Sequence, residues 1–262
     1  MRLHRTVLTY KRLPDRNEWL REKLKNLAFT NPRYGHPMLH DLIRLEGHVV
    51  NYKRTERLYK LEGLSLRRKH RKKRAQGLRV ARPTPAGPNE VWSMDFVHDR
   101  LVTGEKIKCL TLIDQYTREG LVIHVDRAIK GKDVAQMLTK LKWQGRKPKV
   151  IVSDNGSEFC SHAMAKWAQE NDVRLHFIQP GKPTQNCFTE SFNGKFRYDC
   201  LDANNFLSLQ HARFLIEEWR RKYNEKRPHS SIGRIPPAEF ARRFEEKKLN
   251  EKSRDQRLQV VV

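Results

Sequence analysis

The sequence Val150-Ile151-Val152-Ser153-Asp154-Asn155-Gly156 is a short apolar run that ends in a carboxylate and a turn. Apolar runs of this length, rich in β-branched residues and bounded by Gly or Asn, are typical of buried strands. A second run of this kind, Val91-Trp92-Ser93-Met94-Asp95-Phe96, also carries an aspartate. Two strands can present their aspartates at one edge of a sheet, so the pair predicts where the fold gathers its acidic groups.

A third carboxylate, Glu190, lies in a helical pattern, with thirty-five residues between it and Asp154. Phenylalanines recur every four residues through this helix and predict a buried stripe, whereas Glu190, Asn193, Gly194 and Arg197 share another face. Three converging carboxylates form an oxygen-ligand site for Mg²⁺, the usual metal of phosphoryl transfer on nucleic acid. Other carboxylates compete for this role: Asp114, which ends an apolar run, is either a group that supports the ligands or a false candidate, while Asp126 and Glu158 are expected to cap turns or face solvent.

The composition indicates the partner. The chain has 54 Lys and Arg against 30 Asp and Glu, a formal charge of +24. Such an excess favours a polyanion as partner, although a solubilising surface or an RNA-binding role is an equal alternative from charge alone. The four cysteines lack CxxC spacing, which favours reduced thiols and a cytoplasmic protein. Neither an apolar stretch of eighteen residues nor a signal-peptide pattern occurs, so we expect no membrane association.

The first part of the chain, residues 1–66, predicts a small all-α module. Helices are expected over 16–29, 37–47 and 55–62, with Trp19 and Leu61 among the apolar residues and Gly47 and Gly63 as stops. Short helices joined by turns favour a helix-turn-helix whose last helix meets DNA. The alternative is a helical bundle that only braces its neighbour. The candidate DNA contacts at the start of the last helix are Lys53, Arg54 and Arg57.

Residues 67–90 predict a basic linker. Seven of the eight residues from Arg67 to Arg74, Arg68 and Lys72 among them, are Lys or Arg, and a Pro- and Gly-containing stretch follows. Such a block repels itself and is expected to become ordered on a phosphate backbone. The alternative is a passive, solvated spacer.

From residue 91 onward, strands alternate with helices. Three strands over 91–97, 107–113 and 121–125 favour an antiparallel meander, and two more follow at 149–153 and 173–178. Helices are predicted over 132–142, 160–170, 186–200 and 208–223. The architecture implied is α/β, a mixed five-stranded sheet flanked by helices and preceded by the all-α module. We expect this core to span 91–245 and a charged tail to occupy 246–262.

Five stretches carry a resemblance to a known family. They are Asn89 to Phe96, Ser153 to Phe159, Gly181 to Asn186, Glu190 to Arg197 and Tyr223 to Ser231. Together with parts of the helical module, they resemble the DDE integrase core of the ribonuclease-H-like superfamily over roughly residues 15 to 245. More narrowly, the chain is similar to the second-reading-frame product of bacterial insertion-sequence-three transposases.

The resemblance implies a DNA transposase that cleaves the ends of an insertion sequence and joins the 3′-OH to DNA. It implies that Asp95, Asp154 and Glu190 are the metal ligands and that Arg197, seven residues after the glutamate, contacts DNA. On physical grounds two Mg²⁺ ions are expected, with Mn²⁺ as a substitute. The partners implied are double-stranded DNA, further copies of the chain on that DNA, and a first-reading-frame protein or fusion, since the chain lacks that segment's heptads.

Several smaller alternatives stay open at the level of sequence. Lys182 and Gln185 are candidates to position DNA, Asn155 serves either a phosphate contact or the turn, and Arg227-Pro228-His229 is either a binding motif or a helix stop. A regulator with a degenerate core has no reason to retain all three carboxylates. A nuclease of the same fold retains them but hydrolyses DNA without joining it.

Overall fold

The computed structural model describes residues 15–66, 84–178 and 186–259. The chain divides into two compact units at residues 71 and 72. The candidate DNA contacts Arg68, Lys72, Lys182 and Gln185 lie outside the described residues. The predicted boundaries of the linker stay predictions for the same reason.

The described residues of the N-terminal unit form three helices, α1 (Glu18–Thr30), α2 (His36–Leu45) and α3 (Tyr52–Leu61). Gly47 and Gly63 follow α2 and α3 with φ of +89° and +67°, a left-handed conformation that glycine adopts without strain. All three predicted helices are confirmed within a few residues. The buried core of the unit consists of Leu20, Leu24, Tyr34, Leu39, Ile43, Leu58 and Tyr59.

Two apolar residues of the predicted helices, Trp19 on the first stripe and Leu61 on the third helix, are not buried. The Trp19 side chain is 45% exposed and Leu61 is 64% exposed. Both residues lie beside the buried stripe of their helix, because three short helices bury only a narrow strip of each surface. Trp19 instead lies against the ring of His48, with 5.2 Å between the ring centroids.

The second unit is built on a five-stranded sheet in the order β3-β2-β1-β4-β5. β1, β2 and β3 are antiparallel neighbours, whereas β4 runs parallel to both β1 and β5. The mixed sheet predicted from the sequence is confirmed. The strands are β1 (Val91–Arg100), β2 (Lys106–Asp114), β3 (Gly120–Asp126), β4 (Val150–Ser153) and β5 (Arg174–Phe177).

Helices cover both faces of this sheet. On one face of the sheet, the side chains of Trp92, Met94 and Ile151 pack against the first two helices of this unit in chain order. On the other face, those of Val97 and Ile107 pack against the third and fourth helices of the unit. These alternating apolar residues fix which face each strand residue points to. The helices are α4 (Gly131–Trp143), α5 (His162–Glu170), α6 (Cys187–Asp199), α7 (Leu209–Glu225) and α8 (Pro237–Gln259).

The last helix extends into the segment predicted as a charged tail. The 246–262 segment begins inside α8, which continues to Gln259. The first turns of α8 hold ion pairs one helical turn apart, such as Arg243 with Glu239 and Arg242 with Glu246. Such ion pairs can stabilise a helix in the absence of an apolar stripe, and an apolar stripe is the pattern from which helices are predicted. In the part of the chain that the structure describes, no helix has both the length and the hydrophobicity needed to span a bilayer.

Candidate active site

The topology brings two of the three predicted carboxylates side by side. β1 and β4 are parallel neighbours, and Ser93 pairs with Val152. Continued by two residues, this register places Asp95 next to Asp154, on strands about 4.8 Å apart. Because Trp92 and Met94 point to the α4 and α5 face, Asp95 points to the face that α6 covers.

Helix α6 supplies the third carboxylate. Phe192 and Phe196 are buried against the sheet and fix the rotation of the helix. Glu190 therefore lies on a different side of α6, where it is exposed. Asn193, one turn further on, donates a hydrogen bond from Nδ2 to Oδ2 of Asp95 over 2.9 Å. The predicted shared face of Glu190 and Asn193 thus meets the aspartate of β1.

The Asp95 carboxylate is held from both sides. The backbone N–H of Phe96 donates to Oδ1 at 2.7 Å, and Thr111 on β2 donates to Oδ1 of Asn193 at 2.8 Å. The pKa of Asp95 is raised to about 6, mainly by burial and in smaller part by the charges of Asp154 and Glu190, while the hydrogen bonds from Phe96 and Asn193 oppose the rise. The three carboxylates therefore interact electrostatically, which is the condition for sharing a cation.

Hydrogen bonds in the turn after β4 fix the side chain of Asp154 and join this turn to the chain that leaves β5. The N–H of Gly156 donates to Oδ1 of Asp154 at 3.0 Å. A Cβ atom at Gly156 would lie 3.0 Å from that same oxygen, so the turn closes tightly only because glycine stands there. Asn155 donates from Nδ2 to the carbonyl of Ile178 at 3.0 Å. Its side chain thus has a conformational role, joining the β4 turn to the chain that leaves β5.

The donor set suits a hard divalent cation, although it is not closed. Among the described residues, no three His, Cys, Asp or Glu side chains lie close enough together to hold a metal ion. The three carboxylates nevertheless form an oxygen-only set, and a divalent cation would relieve the repulsion that Asp154 and Glu190 add to the effect of burial on Asp95. The residues present therefore fit such an ion chemically, and binding requires the side chains to draw together.

The competing carboxylates have structural partners. Asp114 is fully buried and accepts hydrogen bonds from the backbone N–H groups of Asn89, Tyr116 and Thr117, so it caps the β2–β3 turn. Asp126 pairs with Arg213 at 2.7 Å. Glu158, which we expected to cap a turn or face solvent, instead pairs with Lys108, and the ammonium of Lys108 lies 3.8 Å from the centroid of the Phe96 ring.

The predicted DNA contacts differ in how far they are engaged within the protein. Arg197 donates to the carbonyl of His98 at 2.6 Å and lies 3.8 Å from Asp202, which holds its guanidinium beside the end of β1. In the N-terminal unit, Lys53 and Arg57 are exposed. Arg54 instead donates to Oδ1 of Asn17 at 2.8 Å and to the carbonyl of Arg16 at 3.1 Å. Arg54 thus ties α3 to the start of α1.

The motif Arg227-Pro228-His229 is more than a helix stop. The side chain of Arg227 pairs with Asp199 at the end of α6, and both groups are almost completely buried. Nζ of Lys195 donates to Nε2 of His229 at 3.0 Å. These contacts join the chain after α7 to α6. No local pattern in the sequence predicts these two contacts, since the residues that form each of them are 28 and 34 positions apart.

Comparisons with known families agree with this architecture. Residues 85–183 and 171–237 match two models described as integrase core domain, and residues 15–74 match a model described as HTH-like domain. The chain is 46% identical over 243 residues to the 31.7 kDa protein of insertion element IS407 from Burkholderia multivorans, covering 91% of this chain and 87% of that protein.

More distant relatives extend the likeness. The chain is 24% identical over 228 residues to the transposase InsF for insertion sequence IS3A of Escherichia coli, covering 81% of this chain and 79% of that one. A chain in the simian T-cell lymphotropic virus intasome in complex with PP2A regulatory subunit B56 gamma aligns with a TM-score of 0.54 and 16% identity, over 84% of this chain and 74% of that one. This last likeness supports the fold.

Proposed function

Because the chain belongs to the insertion-element transposases that carry an integrase core domain, we propose that Asp95, Asp154 and Glu190 are the metal ligands of its active site. The observation that carries the proposal is the electrostatic coupling of Asp95 to both other carboxylates while Asn193 holds its free oxygen. Repulsion between the charges of Asp95, Asp154 and Glu190 costs stability, and a bound cation would offset that cost.

We assign two Mg²⁺ ions to the site, with Mn²⁺ as a substitute. Carboxylate oxygens are the preferred ligands of Mg²⁺, and integrase-type cores are dependent on divalent metal. When bound, such ions activate the attacking oxygen and stabilise the leaving 3′ oxygen. Asn193 and the Phe96 N–H keep the Asp95 carboxylate oriented, and the Gly156 N–H does the same for Asp154.

The substrate is double-stranded DNA that carries the ends of the insertion sequence, together with a target. In the first displacement a water oxygen bonds to phosphorus and the P–O3′ bond breaks, which leaves a 3′-OH and a 5′-phosphate. In the second, the freed 3′ oxygen bonds to a phosphorus of the target and its P–O3′ bond breaks. One in-line geometry serves both displacements, so the same residues position both reactions.

The DNA path proposed here follows the basic residues. Arg197 lies two turns after Glu190, about 10.5 Å along the helix axis, where a guanidinium grips the phosphate backbone that leads into the site. Lys53 and Arg57 of the helix-turn-helix unit are exposed and free of the hydrogen bonds that hold Arg54. We retain Arg54, Arg68, Lys72, Lys182 and Gln185 as further proposed contacts.

We propose that several copies of the chain assemble on the DNA, because the two ends of an element must be brought together before joining. A first-reading-frame protein or fusion is proposed as a further partner. The place of action is the bacterial cytoplasm, on the nucleoid DNA. The assembly of several copies and the first-reading-frame partner are both proposed on the basis of the transposase reaction.

The test is strand joining by the purified full-length chain on duplexes that carry the ends of its element. Wild-type protein with Mg²⁺ is expected to produce both the nicked 3′-OH strand and the joined strand. Asp154→Asn is expected to reduce both products at least about a thousandfold, because an amide cannot replace a carboxylate ligand. Its affinity for the duplex is expected to change little.

A matched control is Asp99→Asn, which removes the same charge from the same strand as Asp95 but outside the site. Its joining rate should stay within about twofold of wild type. Near wild-type joining by Asp154→Asn would remove Asp154 from the site. Nicking without any joined product would instead identify a nuclease.

A further inference from the structure

A cavity of about 450 Å³ lies on the side of α6 that faces away from the three carboxylates. At 100° per residue, Ser191 and Lys195 share one side of this helix, and Glu190 and Arg197 share another. Arg118, in the turn between β2 and β3, and His229, after α7, complete the opposite wall. The volume lies within the range of small-ligand sites.

The polar lining of this cavity consists mainly of hydrogen-bond donors. Arg118 and Lys195 contribute cations, and Ser191, Ser230 and Ser231 contribute hydroxyls. Of the lining side chains in the part of the chain that the structure describes, none is a carboxylate. The guanidinium carbon of Arg118 lies over the Phe188 ring, 3.9 Å from its centroid, and this cation–π contact holds the guanidinium in the cavity wall.

Hydrogen bonds inside the cavity turn further donors toward its interior. Lys195 has no acceptor capacity, so its 3.0 Å contact makes Nε2 of His229 the acceptor. The ring proton of His229 then lies on Nδ1 and is donated to the hydroxyl of Ser231, 3.1 Å away. That hydroxyl keeps its own proton for a ligand, as does the ammonium of Lys195 with its remaining protons.

The charges of this cluster are mutually repulsive. The pKa of Lys195 is lowered to about 8, mainly by burial and in smaller part by the charges of Arg227 and Arg118, while the charge of Asp199 opposes the shift. Burial likewise lowers the pKa of His229 to about 3, with Lys195, Arg118 and Arg227 contributing. The cations are therefore assembled at a cost in the free protein, which an anion in the cavity would offset.

From this donor-rich, carboxylate-free cavity we infer a second phosphate-binding site, which takes a phosphate group of the DNA strand. A phosphate offers only acceptor oxygens in a tetrahedral arrangement, which complements converging Arg, Lys and hydroxyl donors. The inference rests on the proposed DNA substrate and adds a contact on the far side of α6 from the metal site.

The dimensions favour a phosphate in DNA over a free ion. Ser191, Ser230 and Ser231 are exposed, so the cavity opens at the surface beside the helix that carries Glu190. A helix with its side chains is about 10 Å across. Since each strand of a duplex carries one phosphate per about 3.4 Å of axis, a strand leaving the active site reaches the cavity within roughly three nucleotides.

The experiment measures binding of the full-length chain to a labelled duplex, in chelator and over a range of salt concentrations. Lys195→Met is expected to weaken binding about five- to tenfold and to make the slope of log K against log salt shallower by about 0.9, the value for one lost phosphate contact. Lys195→Arg should restore most of the affinity. Ser231→Ala, which leaves the charges in place, should show a smaller loss at an unchanged slope.

The matched control is Lys140→Met, which removes an exposed cation from α4 on the other face of the sheet and should leave affinity and slope nearly unchanged. Melting temperatures of all variants exclude unfolding as the cause. Acylation of Lys195 by an amine reagent separates the sources of phosphate. DNA is expected to protect this amine, and inorganic phosphate at equal concentration is not.

Two results would overturn the inference. One is an unchanged affinity and slope in Lys195→Met. The other is protection of Lys195 by inorganic phosphate alone, which would assign the cavity to a free ion. Because binding is measured without divalent metal, these outcomes are independent of catalysis. A wild-type chain that binds DNA through the cavity but never joins strands would break the proposed function and leave this site intact.

Discussion

The two sides of helix α6 carry opposite charges and are built in opposite ways. On one side, Asp95, Asp154 and Glu190 repel one another and are not gathered into a closed ligand set. On the other side, Lys195 is joined to His229, and the neighbouring Arg227 is paired with Asp199. The acidic side depends on a bound cation to become complete, whereas the cationic side is already tied together by hydrogen bonds.

This difference shows how a single helix can serve two requirements of phosphoryl transfer. Metal ligands must be free to draw together, and one partly exposed set of carboxylates permits that movement. A phosphate-binding surface has to be ready before the substrate arrives, because each side chain ordered on binding costs affinity. The buried phenylalanines of α6 separate the two sites and fix both at once.

The largest expected effect concerns the ion pair behind the cationic side. Arg227→Ala leaves the nearly buried Asp199 carboxylate without its guanidinium, which should lower the free energy of unfolding by about 3 kcal/mol or more. Urea denaturation measures it. Arg213→Ala breaks a more exposed ion pair, between Arg213 on α7 and Asp126 at the end of β3. This loss should cost less than about 1 kcal/mol. Equal losses in the two variants would contradict a preassembled cationic side.

A smaller effect is expected on the acidic side. Asn193→Ala removes the hydrogen bond to Asp95 and leaves all three carboxylates in place. Joining should fall about ten- to a hundredfold through loss of orientation. The dependence of the joining rate on Mg²⁺ concentration shows whether Asn193 acts through the orientation of Asp95. If it does, Asn193→Ala should change this dependence together with the rate. If Asn193→Ala joins strands at the wild-type rate, the orientation of Asp95 by Asn193 has no functional role.

The smallest effect is a dependence of stability on pH at Lys195. The pKa of this lysine is lowered from 10.5 to about 8 in the folded chain, so between these values the unfolded chain binds more protons. Stability of the wild type should therefore rise with pH through this window, relative to Lys195→Met. His229 is already neutral there, while Arg118, Arg227 and Asp199 keep their charges. A constant difference between the two proteins would show that neither burial nor the cationic neighbours lower the pKa of Lys195.

The sequence was informative where the structure is local. The alternating apolar runs predicted the mixed sheet, and the phenylalanine period predicted the buried stripe of α6. The joint role of Asp95, Asp154 and Glu190 stays a prediction, and Asp95 lies inside β1 instead of ending it. The partners of these residues could not be predicted, because Thr111 and Asn193 are 82 residues apart. The same applies to the cationic cavity, whose members come from a turn, a helix and the chain after α7.

Residues of one type were the hardest to assign from sequence. Arg54 and Arg57 stand on the same short helix, yet only Arg54 is held by Asn17 and the carbonyl of Arg16. Charge patterning cannot separate an arginine that meets DNA from one that closes a helical unit. Trp19 and Leu61 show the same limit for apolar residues, since the stripe on each helix is narrower than the pattern implied.

The central claim is that the acidic side of α6 is a metal site whose carboxylates repel one another until a cation binds. Asp154→Asn tests it most directly, because the amide oxygen can still accept the N–H of Gly156 while the charge is lost. The measurement is the melting temperature of the wild type and of this variant, each in chelator and in saturating Mg²⁺.

In chelator the variant should melt higher than the wild type, because one source of the repulsion on Asp95 is gone. Mg²⁺ should raise the melting temperature of the wild type and have little effect on the variant. A variant that is destabilised in chelator, or that gains as much from Mg²⁺ as the wild type does, would contradict the account.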